Sequence, residues 1–490
     1  MGFTINERFL TENWLLLTGY GLLMWHIAKR EIYDNLNSLR FALTTVLLLG
    51  LMLINAIVHL EEHPVRMQKY HDAATESLNR LKSRTSLYQI AQEGPGYLYK
   101  KPSSLHFCAD GGEDFLADNV HGGFYAWATD GLAGFWQLDY MPATLNRQNI
   151  RPDTIKIDWT FIIGYVLSLI AILFTFDSIS GEREQGTLRL TLANAVPRHT
   201  VLIGKFLGAL VSISVPFVLA ILMNLLVIST ASEVQLGTDA WSRLGIILFI
   251  AMLYLCLFLA LGLLVSSRVR QSAASLVILL LMWVTFVVFI PSTLASIASG
   301  FSPSMTYDEF NERAIQLVNE LRGEYEARLQ DMHKDPAQKM EFAGEYVIKD
   351  VTERERLIHE YLTQQHAQIQ LARSVTRVSP VVLVQHLLEV FAGTGFERHQ
   401  QFVENVQRYA REYREFVTDM DRADPESLHI IGMYEGMSKK PISPESIPMF
   451  EDRLSLGHDF NAAAVDLLFL TLFLVVFLSG AFLAFVRVEV

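Results

Sequence analysis

The chain has 490 residues and a formal net charge of −12; 51% of its residues are hydrophobic and 19% are charged. Ordinary soluble domains carry about 25% charged residues, so this composition favours a membrane protein. Much of the acidity lies between residues 300 and 460, where 28 Asp and Glu stand against 18 Lys and Arg. This balance argues against nucleic acid as a partner, because binding to phosphates needs a basic surface.

The first 40 residues (1–40) predict helices that lie along the membrane surface. The apolar stretch from Trp14 to Ile27 is too short to cross a bilayer easily. Its two tryptophans and the AKRE that follows indicate an interfacial helix, with a distorted extra span as the alternative. An amphipathic segment then leads into the first long apolar run, and its Lys29, Arg30 and Arg40 predict a position on the cytoplasmic side.

Six longer apolar runs follow, and each can cross about 30 Å of hydrocarbon as a helix. They lie at residues 41–60, 159–176, 201–229, 244–265, 273–290 and 463–486. The short segment SSRVRQS carries Arg268 and Arg270 and no acid, which predicts that it faces the cytoplasm. Counting alternately from it places the N-terminus, the loop 177–200 and the C-terminus in the cytoplasm.

The same counting places two long insertions outside the membrane. The first, residues 61–158, begins with a helical pattern and then becomes rich in Gly, Pro and aromatic residues, which indicates loops and short strands. The second, residues 300–460, repeats apolar residues at helical spacing, as at Phe402, Val406 and Tyr409. We therefore expect an all-α polytopic membrane protein with six transmembrane helices, an N-terminal amphipathic helix and two extracytoplasmic insertions, the second all-helical and carried on two membrane stalks.

The loop after the second span is dense in charge, Gly and Thr. Ser180 can cap a short helix, and acids at Glu182 and Glu184 suit the positive end of its dipole. Leu188 and Leu192, four residues apart, share one face of that helix. Pro197 is expected to end it.

This segment resembles the loop after the second span in ABC type-2 exporter permeases, in the branch related to nitrous-oxide-reductase maturation and gliding-motility permeases. The matching positions are Asp177, Ile179 to Glu184, Gly186 to Leu188, Pro197, Arg198, Gly204, Lys205 and Gly208. The resemblance covers most of the chain from about Ile27 but the insertions only in patches, one of which begins at Ser379. It implies an export permease subunit in the bacterial inner membrane.

The resemblance also implies partners and roles for the loop. Two copies of an ABC ATPase subunit would dock on it, and a second permease chain would complete a homo- or heterodimer. Glu182, Arg183 and Glu184 would make charged contacts with the ATPase, while Gly186 and Thr187 would allow close approach of the backbone. The basic residues are expected to hold the loop to lipid phosphates or helix ends; these are Arg189, Arg198 and Lys205.

No phosphate-binding loop of the form GxxxxGK[ST] occurs in the sequence, so we expect no cofactor in this chain and no enzymatic activity of its own. ATP and Mg²⁺ would be bound by the partner ATPase. An alternative function of another class is a non-transporting mechanotransmission or assembly subunit, in which the outer insertions act on a periplasmic partner.

A few polar residues in or near the spans remain as weaker candidates. His59 and His63 are four residues apart next to Glu62, a spacing that can bind zinc or copper and would suit a metal-dependent membrane enzyme, but two ligands make no complete site. Asn55, Asn224 and Asp466 lie in or near spans, where polar side chains are functional candidates but often only join helices; Asp466 lies near the outer end of its span, where a side chain can snorkel to the surface. The Gly204–Gly208 pair is a lone small-residue motif.

Overall fold

The computed structural model describes residues 21–113, 116–129, 135–138, 156–193, 196–230, 236–301, 305–331, 336–431, 434 and 436–487. Half of the predicted interfacial helix at Trp14 to Ile27, residues 14–20, lies outside these residues. The described chain begins with helix α1 (residues 21–36), which matches the amphipathic segment before the first span.

Six helical stretches in the described residues are long and apolar enough to cross a membrane, which confirms the predicted all-α polytopic membrane fold. They are α2 (Leu39–Lys82), the stretch Trp159–Glu184, α8 (Arg198–Ser229), α9 (Thr238–Arg268), the stretch Ser272–Leu294 and α16 (Leu456–Val486). The first of these continues well beyond the predicted span 41–60. It stays helical through Pro64, whose missing N–H removes one backbone hydrogen bond.

The second and fifth spans each contain a π-helical segment. The second span comprises α4 (Trp159–Phe161), the π segment Ile162–Leu167 and α5 (Ser168–Thr175). The fifth comprises α10 (Ser272–Trp283), the π segment Val284–Phe289 and the first part of α11 (Ile290–Phe301).

Hydroxyl groups satisfy carbonyl groups within these π segments. The Gly164 carbonyl accepts hydrogen bonds from Ser168 Oγ at 2.7 Å and from the Tyr254 hydroxyl at 2.8 Å. The Phe286 carbonyl accepts one from Ser379 Oγ at 2.6 Å. Side-chain hydroxyl groups thus stabilise both π segments, where the regular pattern of helical backbone hydrogen bonds is interrupted.

Helix α14 (Pro380–Ala392) packs against α9 and α16 and belongs to the core of the membrane bundle. The predicted bounds 300–460 place this segment in the outer helical insertion, and that placement is wrong. Its residues Val384, Leu387 and Leu388 are buried in the same hydrophobic core as the spans. Gly393 ends it in the left-handed conformation (φ 66°), which a residue without a Cβ adopts freely.

The first insertion carries a short antiparallel sheet, as its composition predicted. After α3 (Leu87–Glu93), strands β1 (Gly96–Tyr99), β2 (Asn119–Gly122) and β3 (Trp136–Leu138) pair in the order β1–β2–β3.

The second insertion contains α12 (Tyr307–Asp331), α13 (Pro336–Thr376) and α15 (Gly395–Arg422). Helices α12 and α13 pair through aromatic contacts such as Phe310 against Tyr361. Between Arg422 and α16, the described residues form loops and turns, with one short 3₁₀ helix at Pro444–Ser446.

The two insertions share one hydrophobic core and so do not form two separate domains, contrary to the sequence-based division. Trp136 of β3 packs edge-on against Tyr409 and Tyr413 of α15. The Tyr413 hydroxyl donates a hydrogen bond to the Ile90 carbonyl of α3 at 2.7 Å. Aromatic side chains contribute large apolar areas, so these contacts stabilise the pairing of the insertions.

Buried polar contacts join this combined domain to the bundle, and in one of them Gln401 of α15 donates a hydrogen bond to Asp459 of α16. Arg243 of α9 lies 2.7 Å from Asp459, and both side chains are nearly inaccessible to solvent. Asp466 of α16 accepts a hydrogen bond from Arg377 at 2.6 Å and also contacts His386. Asp466 thus does not snorkel to the surface but is buried between these partners.

Asn55 and Asn224 join the first and third spans, as expected of polar residues inside a helix bundle. The Asn224 amide donates to the Asn55 side-chain oxygen at 2.9 Å and to the Met52 carbonyl at 2.7 Å. The Asn55 amide in turn donates to the Phe107 carbonyl of the first insertion.

Candidate functional site

The loop between the second and third spans consists of two short helices, where the sequence predicted one. They are α6 (Ser180–Glu184) and α7 (Thr187–Ala193). Gly186 separates them with φ 76°, a left-handed conformation that a residue without a Cβ adopts freely. Pro197 directly precedes α8 and marks its start.

The predicted capping role of Ser180 is wrong. This residue lies inside α6, and its hydroxyl donates a hydrogen bond to the Phe176 carbonyl at 2.8 Å. The start of α6 is fixed by Ser266 of α9, whose hydroxyl oxygen accepts hydrogen bonds from the backbone N–H groups of Ile179 and Ser180.

One face of the loop is apolar and buried, as the four-residue spacing predicted. Leu188 is buried and Leu192 partly so, against Leu263 of α9 and Phe485 of α16. The loop is therefore packed on the ends of two spans that are distant in sequence.

Lys205 forms the charged centre of this site. Its side chain is only 4% exposed, and its ammonium group lies 2.9 Å from Glu182 and 3.3 Å from Glu31 of α1. Glu31 also accepts a hydrogen bond from Ser178. Burial of Lys205 excludes the lipid-phosphate contact considered from the sequence and assigns this residue to an ion-pair network inside the chain.

The small residues beside Lys205 hold α1 against α8. A Cβ added at Gly204 would lie 2.9 Å from Ile27 Cβ, and one at Gly208 would lie 2.6 Å from Glu31 Cβ. These distances leave no room for a side chain, so the motif is a close helix contact that the sequence alone did not distinguish from chance.

Three further loop residues hold the loop to neighbouring helices. The Glu184 carboxylate accepts hydrogen bonds from the Ser272 backbone and hydroxyl at the start of α10. Asp177 pairs with Arg40 of α2 at 2.8 Å. The Arg198 guanidinium donates to the Phe485 and Val486 carbonyls at the end of α16, which agrees with the helix-end contact predicted for it.

What remains exposed is the tip of the loop, defined here as residues 185–190. Gln185, Gly186, Thr187, Arg189 and Leu190 are exposed, and Leu190 has 69% of its surface accessible. Leu190 is not among the residues predicted for this site. Its exposure could have been predicted from the sequence, because a leucine two residues from Leu188 lies on the opposite face of a helix.

The two candidate metal ligands lie far along α2 from this loop. His59 and His63 are both buried, and their rings stack with centroids 4.7 Å apart. Among the residues the structure describes, no group of three or more His, Cys, Asp or Glu side chains is placed to hold a metal ion.

Comparison with known proteins places these features in a family. A family model described as ABC-2 family transporter protein matches residues 25–490. A probable ABC transporter permease protein NosY of Pseudomonas aeruginosa is 30% identical over 143 residues, which is 28% of this chain and 50% of that protein. A protein of the same name from Stutzerimonas stutzeri is 31% identical over 124 residues, which is 25% of this chain and 45% of that protein.

The matched region thus spans about half the length of these curated relatives. The family match, in contrast, extends from α1 through all six spans. The chain belongs to the ABC-2 family of transporter proteins, and its six long apolar helical stretches identify it as a multi-pass membrane protein.

Proposed function

We propose that this chain is the permease subunit of an ABC exporter and that a separate ATPase chain docks on the tip of the loop, residues 185–190. One observation supports this proposal: the tip of the loop is exposed, whereas the rest of the loop contacts several helices of the bundle. The loop contacts α1 through Glu31 and α9 through Ser266. It contacts α10 through Ser272 and α16 through Phe485.

A displacement of the tip would therefore reach most of the bundle. Closure of two ATPase chains on ATP and Mg²⁺ would move the loop, and the loop would shift the spans between two arrangements. In this scheme Gly186, Thr187, Arg189 and Leu190 meet the ATPase. Glu182, Glu184 and Lys205 connect the loop to the rest of the permease and do not themselves form the contact.

The proposed assembly contains two ATPase copies and a second permease chain, identical or related, in the bacterial inner membrane. The loop and both termini face the cytoplasm, where ATP is available, and the combined insertions face outward. Support comes from Arg268 and Arg270 in the adjacent turn, since short cytoplasmic loops are enriched in basic residues.

The test is a substitution at the exposed tip. Leu190→Asp should abolish co-purification of the ATPase and stimulation of its ATP hydrolysis, because a charge would replace an apolar contact. Leu428→Asp is the matched control, since Leu428 in the second insertion is exposed to a similar degree, 67% against 69%. Full stimulation in the Leu190 variant would refute docking at the tip.

A second function, transmission of movement to an outer partner without transport, is favoured by the rigid links between bundle and insertions. Gln401 of α15 donates a hydrogen bond to Asp459 of α16, and Arg377, which follows α13, pairs with Asp466 of α16. Reconstituted vesicles with the ATPase separate the two functions. Solute flux supports export, whereas ATP-dependent change in distance between labels on the insertions without flux supports transmission.

A further inference from the structure

A cavity of about 260 Å³ lies beside the middle of α2, between its residues Ile54 and Arg66. Three pieces of chain surround it: α2, the turn near Phe107, and the segment 156–158 before the second span. Neither the docking loop nor the π segments line it, so it is distinct from the proposed ATPase contact.

The wall that α2 contributes changes from apolar to charged along the helix. Ile54, Val58, Glu62 and Arg66 follow one another at four-residue intervals and line the cavity from one face. At 1.5 Å per residue this face is about 18 Å long. Ile54 and Val58 are each 46% exposed, so the cavity opens where the helix presents its apolar surface to the bilayer.

The charged end of the cavity carries side chains of both signs. Arg66 donates to His106 at 2.7 Å and to Glu62 at 3.2 Å, and Lys156 donates to Asp110 at 2.6 Å. Two cations therefore stand beside two carboxylates.

A third carboxylate in the lining, Asp158, is already satisfied by the backbone. Its two oxygens accept hydrogen bonds from the N–H groups of Phe161 and Asp110. The charged end of the cavity thus presents both cationic and anionic side chains, which suits a ligand that carries one positive and one negative group.

His59 supplies an unsatisfied polar atom in the cavity wall. Its side chain is buried, and its Nε2 atom has no hydrogen-bond partner among the residues that the structure describes. Buried polar atoms in native proteins are paired in most cases, so the His59 Nε2 atom, unpaired within the described part of the chain, offers a hydrogen-bonding position to a ligand in the cavity.

We propose that this cavity binds the head group of a zwitterionic phospholipid. The phosphate lies towards Arg66 and Lys156, the ammonium group towards Glu62, and the upper part of an acyl chain along Ile54 and Val58. The apolar part of the cavity then lies in the bilayer beside the acyl chain, and the charged part lies at the bilayer surface beside the head group. The proposal requires membrane insertion only and does not depend on ATPase docking.

Native mass spectrometry of the full chain in detergent tests this, with dioleoyl phosphatidylethanolamine and dioleoyl phosphatidylglycerol added in equal amounts. The wild type should retain the first lipid over the second. Arg66→Gln should weaken this retention about tenfold, because it removes a charge-assisted hydrogen bond. Arg80→Gln is the matched control, since Arg80 pairs with Glu76 four residues earlier, as Arg66 does with Glu62.

Val58→Trp provides a second variant that does not touch the ion pairs. Because Val58 is half exposed, the larger side chain fits at the mouth of the cavity and should block retention in a folded protein. Equal retention of both lipids, or unchanged retention in the Arg66 and Val58 variants, would overturn the proposal. Displacement of the lipid by soluble glycerophosphoethanolamine at similar concentration would also overturn it, since the ligand would then be a free solute.

Discussion

Glu184 caps the helix that begins at Ser272: its carboxylate accepts hydrogen bonds from the Ser272 N–H at 3.1 Å and hydroxyl at 2.8 Å. This contact fastens the loop after the second span to the start of the fifth. An acid here also faces the positive end of the α10 dipole. Glu184 therefore acts on a neighbouring helix within the chain, where the sequence suggested a contact with a partner.

This relationship predicts the effect of substitutions at Glu184. Glu184→Lys should reduce ATPase stimulation while the ATPase still co-purifies, because the tip remains but its link to the fifth span is lost. Glu184→Gln keeps one acceptor oxygen and should retain most of the stimulation. Loss of ATPase binding in the lysine variant would instead favour a direct contact. The measurement is ATP hydrolysis of the reconstituted complex together with its subunit ratio.

Lys205→Met should destabilise the protein, because Glu31 and Glu182 would be left beside an apolar side chain. Breaking a fully buried pair costs about 3–5 kcal/mol, and we expect about 2 kcal/mol here, since both acids keep some solvent exposure. Adding Glu182→Gln should recover part of the loss. Thermal unfolding in detergent measures both effects, and equal stability of Lys205→Met and wild type would contradict the network.

Gly208→Ala should loosen α1 from α8. Its Cβ would lie 2.6 Å from Glu31 Cβ, so the helices must separate, at a cost of about 1–3 kcal/mol. Gly245→Ala is the control, because a Cβ there meets no atom of the described chain within 4 Å. It should be neutral or stabilise α9 by about 0.5–1 kcal/mol. Protease cleavage near α1 should increase in the Gly208 variant alone.

Asp158 predicts a pH-dependent contribution to stability. Burial raises the pKa of this carboxyl to about 6, although two backbone N–H groups oppose the shift. Between the ordinary value near 4 and 6, the folded state holds a proton that the unfolded state has released. The contribution of Asp158 to stability therefore falls as pH rises through this window and stays low above it.

Asp158→Asn should remove this dependence while keeping a side-chain oxygen for the cap of α4. The difference in free energy of unfolding between wild type and variant should change by about 1–2 kcal/mol between pH 7.5 and pH 5, in favour of the wild type at pH 5. A difference that stays constant with pH would show that Asp158 does not titrate in this range.

Much of the fold follows from local sequence patterns. Run length and hydropathy predicted the six spans, and the four-residue spacing of Leu188 and Leu192 predicted the buried face of the loop. The break at Gly186 was not predicted, because the helical pattern continues across it and a left-handed residue leaves no periodic signal.

The contacts that define the site could not be predicted, since they join distant parts of the chain. The Lys205–Glu31 pair spans 174 residues, and nothing in either local sequence indicates it. The same holds for α14, whose apolar pattern suits an outer helical core as well as the membrane bundle. Tertiary packing decides such cases.

The length of α2 determines how far one of its ends moves when the helix tilts about the other. Its 44 residues extend about 66 Å, roughly twice the hydrocarbon thickness of a bilayer. Arg40 links its first turn to the loop at Asp177, and Leu81 at its far end lies in the core of the combined insertions. A tilt of about 10° about one end of a helix this long moves the other end by about 11 Å. A small tilt of α2 beside the loop would therefore displace its outer end, on the opposite side of the membrane, by the length of a side chain or more.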